Sequence, residues 1–239
     1  PSDAPIKSLA HLLKNIPPAR LFEESLKLLQ SGHGVKTYRL LRQYGLFEPL
    51  FPLLTPYFTE YEDSMTEKMI LRALTSTDER VADKLPINPA FLFAAFFWYS
   101  LRERVEVLKN EGGLNNYDAY ALASNDVLEQ LCKSLAVPRR HTAVIREIWL
   151  LQLQFLKRTP KSVQRAIEQA KFRAGFDLLV IRAEIEGGEA VELAAWWHEY
   201  QFSNESQRQD LVKELPSQPK KRKYHRRKRH HSAKKVSHE

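Results

Sequence analysis

Cysteine is almost absent from this chain: Cys132 is the only one in 239 residues. A lone thiol forms no intrachain disulfide, and no cysteine pair exists to hold zinc, which fits a reducing compartment. Glycine is scarce too, with 8 residues, so a turn-rich β architecture is not expected. The most apolar stretch, Pro89 to Leu101, has 13 residues, short of the roughly 20 that a membrane-spanning helix needs. We expect it to be a buried core helix. No signal-peptide pattern opens the chain, which begins at Pro1 rather than Met; a fragment or a processed product is expected. There is no Gly-rich phosphate loop with its Lys, and no serine sits in a nucleophile elbow. The Asp-x-Asp or Asp-x-Glu pair that usually bridges two cations about 4 Å apart in phosphoryl transfer is missing. Glu60-x-Glu62 and Glu184-x-Glu186 come nearest. The second lies in a predicted helix, where alternate residues point to different faces.

What is present is a normal globular balance, 43% hydrophobic and 28% charged, enough to bury a real core. The net charge of +8 is unevenly placed. Residues 216–239 hold ten Lys or Arg and one acid, while the first 215 residues hold 27 bases and 28 acids. A near-neutral body with a cationic tail points to a polyanionic partner.

Periodicity and punctuation predict an all-α body. Helices are expected over about Pro18–Ser31, Val35–Tyr44, Met65–Leu74, Pro89–Lys109, Asn116–Ala136, Pro138–Arg158, Lys161–Gln169, Lys171–Glu186 and Glu189–Phe202. Pro49, Pro52 and Pro56 make Leu46–Pro56 short turns. Thr75–Asn88 is expected to be a polar connection. No alternating strand and no internal repeat is found. We divide the chain into segments 3–74, 75–215 and 216–239. The last has almost no apolar residues to offset the entropy of ordering, and disorder is predicted there.

The tail is the clearest chemical signal. Lys220, Lys221, Arg222, Lys223, Arg226, Arg227, Lys228 and Arg229 suit counterion-releasing contact with phosphates. Tyr224 and His225 stand among them as stacking groups for single-stranded RNA. A solubilising tail or a nuclear-import signal is the plain alternative. In the body, Arg139, Arg140, His141 and Arg146 cluster near a helix start, where positive charge opposes the helix dipole unless an anion is near. Either a phosphate contact or a solvated face paired with Glu147 explains them. The same two readings apply to Lys36, Arg39 and Arg42. His33, His141 and His198 lack ligand spacing and carboxylate support, so no metal site is expected. Trp98, Trp149, Trp196 and Trp197 are expected to be core anchors.

Six stretches carry a family resemblance: Asn15 to Glu24 (NIPPARLFEE), Leu28 to His33, Tyr44 to Pro52, Asn88 to Tyr99, Asp118 to Leu128 and Lys171 to Leu179. With Trp196-Trp197 and the basic tail, they run in one order through essentially the whole chain. The chain resembles the neck, body and leg of bacterial poly(A) polymerases, in the class II nucleotidyltransferase family. The resemblance implies an all-helical fold that binds RNA through a neck at about 3–74, which in the family also meets a DEAD-box helicase. It implies that the whole enzyme adds AMP from ATP to RNA 3′ ends with Mg2+, in mRNA polyadenylation and decay in the bacterial cytoplasm. The family's catalytic head carries Gly-Ser or Gly-Gly followed by Asp-x-Asp. Neither Gly112-Gly113 nor Gly187-Gly188 is followed by such a pair. No catalytic residue is therefore carried over, this chain alone is expected to be inactive, and no cofactor is expected on it. Arg20, Glu23 and Glu24 match the neck motif; Pro18 to Glu24 reads as a helix start, where carboxylates suit the dipole, so ion pairs across the neck–head junction are expected, with a nucleotide contact by Arg20 as the alternative. Partners implied are RNA, a DEAD-box helicase and the head. The alternative function is a scaffold that docks a helicase or degradation partner.

Overall fold

The computed structural model describes residues 3–213 and Leu215, and every regular element among them is helical. In chain order these are α1 Asp3–Leu9, α2 Pro18–Leu29, α3 Gly34–Gln43, α4 Phe47–Leu50, α5 Met65–Ala82, α6 Pro89–Phe96, α7 Trp98–Gly112, α8 Asn116–Leu135, α9 Arg139–Phe155, α10 Pro160–Ile167, α11 Phe172–Glu186, α12 Glu189–Phe202 and α13 Glu205–Lys213. Two 3-10 turns, Ala10–Asn15 and Pro52–Tyr57, join them. The expected all-α class is what is observed. Residues 216–239, for which the sequence predicts disorder, lie outside the described residues.

Local chemistry explains the helix starts. Pro18, Pro89 and Pro160 open α2, α6 and α10, where the missing N–H has no intrahelical role. The Ser64, Asn88, Asn115 and Thr159 side chains accept first-turn N–H groups of α5, α6, α8 and α10.

Two expected boundaries are corrected. Helix α5 does not stop at Leu74 but runs to Ala82. The threonines that read as a linker bond back into the helix, Thr75 to the Leu71 carbonyl and Thr77 to the Ala73 carbonyl, both at 2.9 Å. That satisfies their hydroxyls and lets Thr77 be buried. The helix ends where Lys84 takes a left-handed φ of 55° and the Leu85 N–H reaches back to the Arg80 carbonyl at 2.8 Å. The stretch expected to be one helix from Pro89 to Lys109 breaks at Phe97 into α6 and α7. Seven consecutive residues there, Leu92 to Trp98, are buried. Such a segment must be covered on every side, and α5, α9 and α11 pack around α6 while α7 turns away. Helices α1 and α13 lie outside the expected segments.

The apolar residues form two cores. The larger takes Phe22, Tyr38 and Phe47 from α2–α4 together with Phe93, Phe96 and Trp98, Leu128 and Leu131, and Trp149. It therefore draws on both segments 3–74 and 75–215. The smaller core joins Phe155, Val163, Ala166, Phe172, Phe176 and Trp197, where α9–α12 meet. Helices α9 and α11 serve both. They cross closely because Gly175 lacks a side chain: a Cβ there would sit 2.7 Å from Leu151 Cδ1. The Gln152 amide also donates to the Gly175 carbonyl at 2.9 Å.

Three of the four tryptophans are core anchors as expected. The Trp98, Trp149 and Trp197 rings are fully buried, and each indole N–H is bonded, to Glu186, the Ala94 carbonyl and the Phe155 carbonyl. Trp196 is the exception and is half-buried. Adjacent residues on a helix point about 100° apart, so Trp196 and Trp197 cannot both face the core centre.

Candidate nucleic-acid interface

The cations singled out from sequence have different fates. Arg42 is drawn into the fold. Its guanidinium pairs with Glu48 and with the fully buried Glu67 at 3.4 Å, and it stacks over the Phe58 ring at 3.8 Å. Glu67 also accepts from the Thr59 N–H at 3.0 Å and the Thr59 hydroxyl at 2.8 Å. Arg39 pairs with Glu62 at 3.2 Å, while Lys36 is exposed. Helix α3, which carries all three, is tied at its start to α5. The Asp78 carboxylate accepts the Gly34 N–H at 2.7 Å and the Val35 N–H at 3.2 Å. That contact combines a side-chain cap with a negative charge on the positive end of the helix dipole.

At the start of α9, Arg139 and Arg140 are exposed and the first turn contains no acid. No ion pair engages Arg139, Arg140 or Arg146 among the described residues, so the pairing with Glu147 is not made. Arg140 meets the His141 ring at 3.3 Å. Burial against α2, where the His141 and Phe22 rings lie 5.5 Å apart, lowers the His141 pKa, and the Arg140 charge lowers it further. Both effects disfavour the protonated ring.

Arg20, Glu23 and Glu24 lie exposed on α2. The carboxylates sit in the second turn of the helix rather than at its start, and Glu24 pairs with Lys27 at 2.9 Å. The tail residues Lys220 to Arg229 lie outside the described residues. A further basic run lies within the body and is not among the expected contacts. Between Lys157 and Arg173 six of seventeen residues are Lys or Arg, and Glu168 is the only acid. Its signal in the sequence is local charge density, which the near-neutral total of the body hides.

Three of the four carboxylates nearest to a two-metal pattern, Glu62, Glu184 and Glu186, are already engaged within the fold. Glu184 accepts from Arg72 at 2.5 and 3.2 Å. Glu186 accepts from the Trp98 indole at 2.9 Å, the Tyr99 hydroxyl at 3.3 Å and Arg182 at 2.9 Å. Glu62 is held by Arg39. Among the described residues no group of three His, Cys, Asp or Glu is placed to hold a metal ion, His33, His141 and His198 included. No helix there is long and apolar enough to cross a membrane.

Comparison with known proteins gives these surfaces a family. The profile of a probable RNA and SrmB-binding site of polymerase A matches residues 2–58, and that of a polymerase A arginine-rich C-terminus matches residues 112–231. The chain belongs to the poly(A) polymerase family. The poly(A) polymerase I of Haemophilus influenzae is 72% identical over 232 residues, covering 96% of this chain and 51% of that protein. The poly(A) polymerase I of Salmonella typhi is 51% identical over 216 residues, 90% of this chain and 46% of its own length. That of Escherichia coli O6:H1 is 50% identical over 226 residues, 94% and 49%. The chain spans about half the length of these curated poly(A) polymerases. Helices α2–α4 fall in the first matched region, and the α9 cations, the 157–173 run and the tail to His231 fall in the second. The stretch between the two matches supplies Asp78 and Glu67, which hold α3 and Arg42.

Proposed function

We propose that this chain is the RNA-gripping part of a poly(A) polymerase. It holds the RNA whose 3′ end the whole enzyme extends with AMP from ATP, in polyadenylation and decay of mRNA in the bacterial cytoplasm. The carrying observation is that the polymerase A RNA-binding-site profile covers residues 2–58 of a body that ends in ten cations against one acid. The units are segment 3–74, the helical segment 75–215 and the basic tail 216–239, with Arg139, Arg140, Lys36 and the tail cations as phosphate contacts. ATP and Mg2+ are assigned to the intact enzyme, a reading supported by the engagement of Glu62, Glu184 and Glu186 with arginines and other donors. This chain by itself is inactive.

The test is filter binding of single-stranded RNA to the full chain and to a variant lacking Lys220 to Glu239, over a range of salt. The deletion should weaken binding and flatten its salt dependence. Equal affinity with and without the tail removes the tail from the function. Labelled ATP with magnesium should give no incorporation into RNA by this chain alone, and incorporation would overturn its inactivity. A DEAD-box helicase as a second partner rests on the wording of the same 2–58 profile. A pull-down that survives nuclease and tail deletion supports it, and loss of capture on nuclease treatment removes it.

A further inference from the structure

Helix α9 ends at Phe155, and the chain then turns through Leu156, Lys157 and Arg158 into α10. Val163 and Ala166 are buried in the smaller core, so α10 is fixed with Lys161 and Arg165 on its exposed side. These two are one turn apart, about 6 Å along the axis. Among the described residues no ion pair and no side-chain hydrogen bond engages Lys157, Arg158, Lys161 or Arg165. Four cations thus stand in one turn and one short helix without a carboxylate partner. Like charges so placed repel each other and are favoured only when counterions or a polyanion neutralise them.

Arg158 has a further property. Its guanidinium lies over the Trp196 ring, 5.5 Å from the centroid. Trp196 stacks on Tyr200 at 5.2 Å with 22° between planes, and packs edge-on to Trp197 at 5.2 Å. Trp197 in turn is fully buried and bonded to the Phe155 carbonyl at 3.0 Å, at the end of α9. Arg208 covers the Tyr200 ring at 5.3 Å. The position of Arg158 is therefore set by a rigid aromatic stack, while its five N–H donors remain unspent. A guanidinium fixed in this way loses less freedom on binding than a free side chain. It offers a fork to phosphate and a plane to a nucleobase.

We infer that this corner, Lys157, Arg158, Lys161 and Arg165 with Trp196 behind them, is a second grip on single-stranded RNA, separate from the basic tail. It rests on the reading of the chain as an RNA-binding part, and it gives that reading a folded contact site. The lysines and Arg165 act as phosphate contacts without sequence preference, and Arg158 is the oriented element.

The experiment uses the full 239-residue chain and a fluorescein-labelled single-stranded RNA of about twenty nucleotides, with anisotropy read across a potassium chloride series. The variant Lys157→Ala/Lys161→Ala/Arg165→Ala should lower the slope of log affinity against log salt by about 2, at roughly 0.7 for each cation on single strands. With the two lines meeting at about 1 M salt, it should bind roughly a hundredfold more weakly at about 0.1 M. Arg158→Lys keeps the charge and removes the plane, so it should weaken binding about threefold with the slope unchanged. Melting curves check that these exposed changes leave the fold intact. If the triple variant melts early, Lys161→Ala and Arg165→Ala are used singly, each with an expected slope change of about 0.7.

An unaltered chain that binds RNA while the triple variant binds it equally well overturns this site and leaves the proposed function standing. A chain that ignores RNA at low salt overturns the proposed function, and this site with it. Polyglutamate competition separates the partner classes. If the triple variant loses polyglutamate as much as RNA and Arg158→Lys changes neither, the corner is an acidic-protein or general polyanion surface and the RNA assignment is wrong.

Discussion

Around the larger core Arg39, Arg42, Arg72 and Arg104 each meet a carboxylate. Around the smaller core Lys157, Arg158, Lys161 and Arg165 meet none among the described residues. The two regions look alike in composition, since both are helical and rich in Arg and Lys. The difference lies in where the acids come from. Glu67 reaches Arg42 from 25 residues away, and Glu184 reaches Arg72 from 112. Density of positive charge along a chain therefore does not measure how much is available to a ligand. What remains after folding has paired the rest does.

The strongest way to break this comparison is Arg42→Ala. With 18% of its side chain exposed, Arg42 neutralises a Glu67 that has none exposed. Removing one partner leaves the other charge buried and uncompensated, at a cost of about 3–5 kcal/mol. Urea unfolding should show a lower midpoint with an unchanged slope. Well below that midpoint, RNA affinity should equal that of the unaltered chain. A loss of RNA affinity in the folded protein would make Arg42 a ligand contact and erase the contrast between the two regions.

Glu186→Gln probes the joint between the cores. Burial pushes the Glu186 pKa up, but the Arg182 hydrogen bonds and charge, with the Trp98 N–H, outweigh it and hold the carboxyl below its ordinary value. Arg182 also bonds Gln152 at 3.0 Å and lies over the Trp98 ring at 4.4 Å. Losing the charge should cost about 2 kcal/mol at neutral pH. A pKa lowered by folding contributes stability that is present above the unfolded value and lost as pH falls through the folded one. The gap between the two proteins in thermal unfolding should therefore be full at neutral pH and close as the solution is acidified below about 4.3. A gap that widens on acidification would mean that the carboxyl is held protonated in the fold.

The helical class and most helix starts were legible because proline, Asn, Ser and Thr caps act locally. The end of α5 was not, because Thr75 and Thr77 are helix-weakening in isolation and are rescued by back-bonding and burial. Nor was the break at Phe97, because a window that is apolar on all sides has no periodicity from which to place a kink. At the candidate site, the tail's charge is visible in any count. The pairing of Arg39 and Arg42 requires knowing which distant carboxylate arrives. The Arg158–Trp196 contact joins residues 38 positions apart, brought together by the packing of α12 on α11 and the Trp197 bond to the end of α9.

Asp78→Ala tests how firmly the region of the RNA-binding-site profile is braced from outside it. The carboxylate caps α3 through two N–H groups, worth about 1–2 kcal/mol. Gly34 is needed at this crowded turn, since a Cβ there would lie 2.6 Å from the Leu29 carbonyl oxygen and 3.2 Å from the Asp78 carboxylate. The amides of Gly34 and Val35 should exchange hydrogen faster in the variant, while those of α11 keep their protection. Equal loss of protection in both would mean that α3 opens only with the whole molecule.

The smallest effects separate the two regions most finely, because they compare exposed arginines one at a time. Arg39 has 60% of its side chain exposed and a single pair at 3.2 Å. Arg39→Ala should cost no more than about 0.5 kcal/mol, since an exposed pair gains little over solvation. It should leave the salt slope of RNA binding where it was. Arg165, exposed on α10 and unpaired among the described residues, should show the reverse. Arg165→Ala should change stability by less than about 0.5 kcal/mol while lowering the slope by about 0.7. If both variants shift the slope equally, a pair at the surface does not withhold an arginine from RNA, and only burial of the kind seen at Arg42 does.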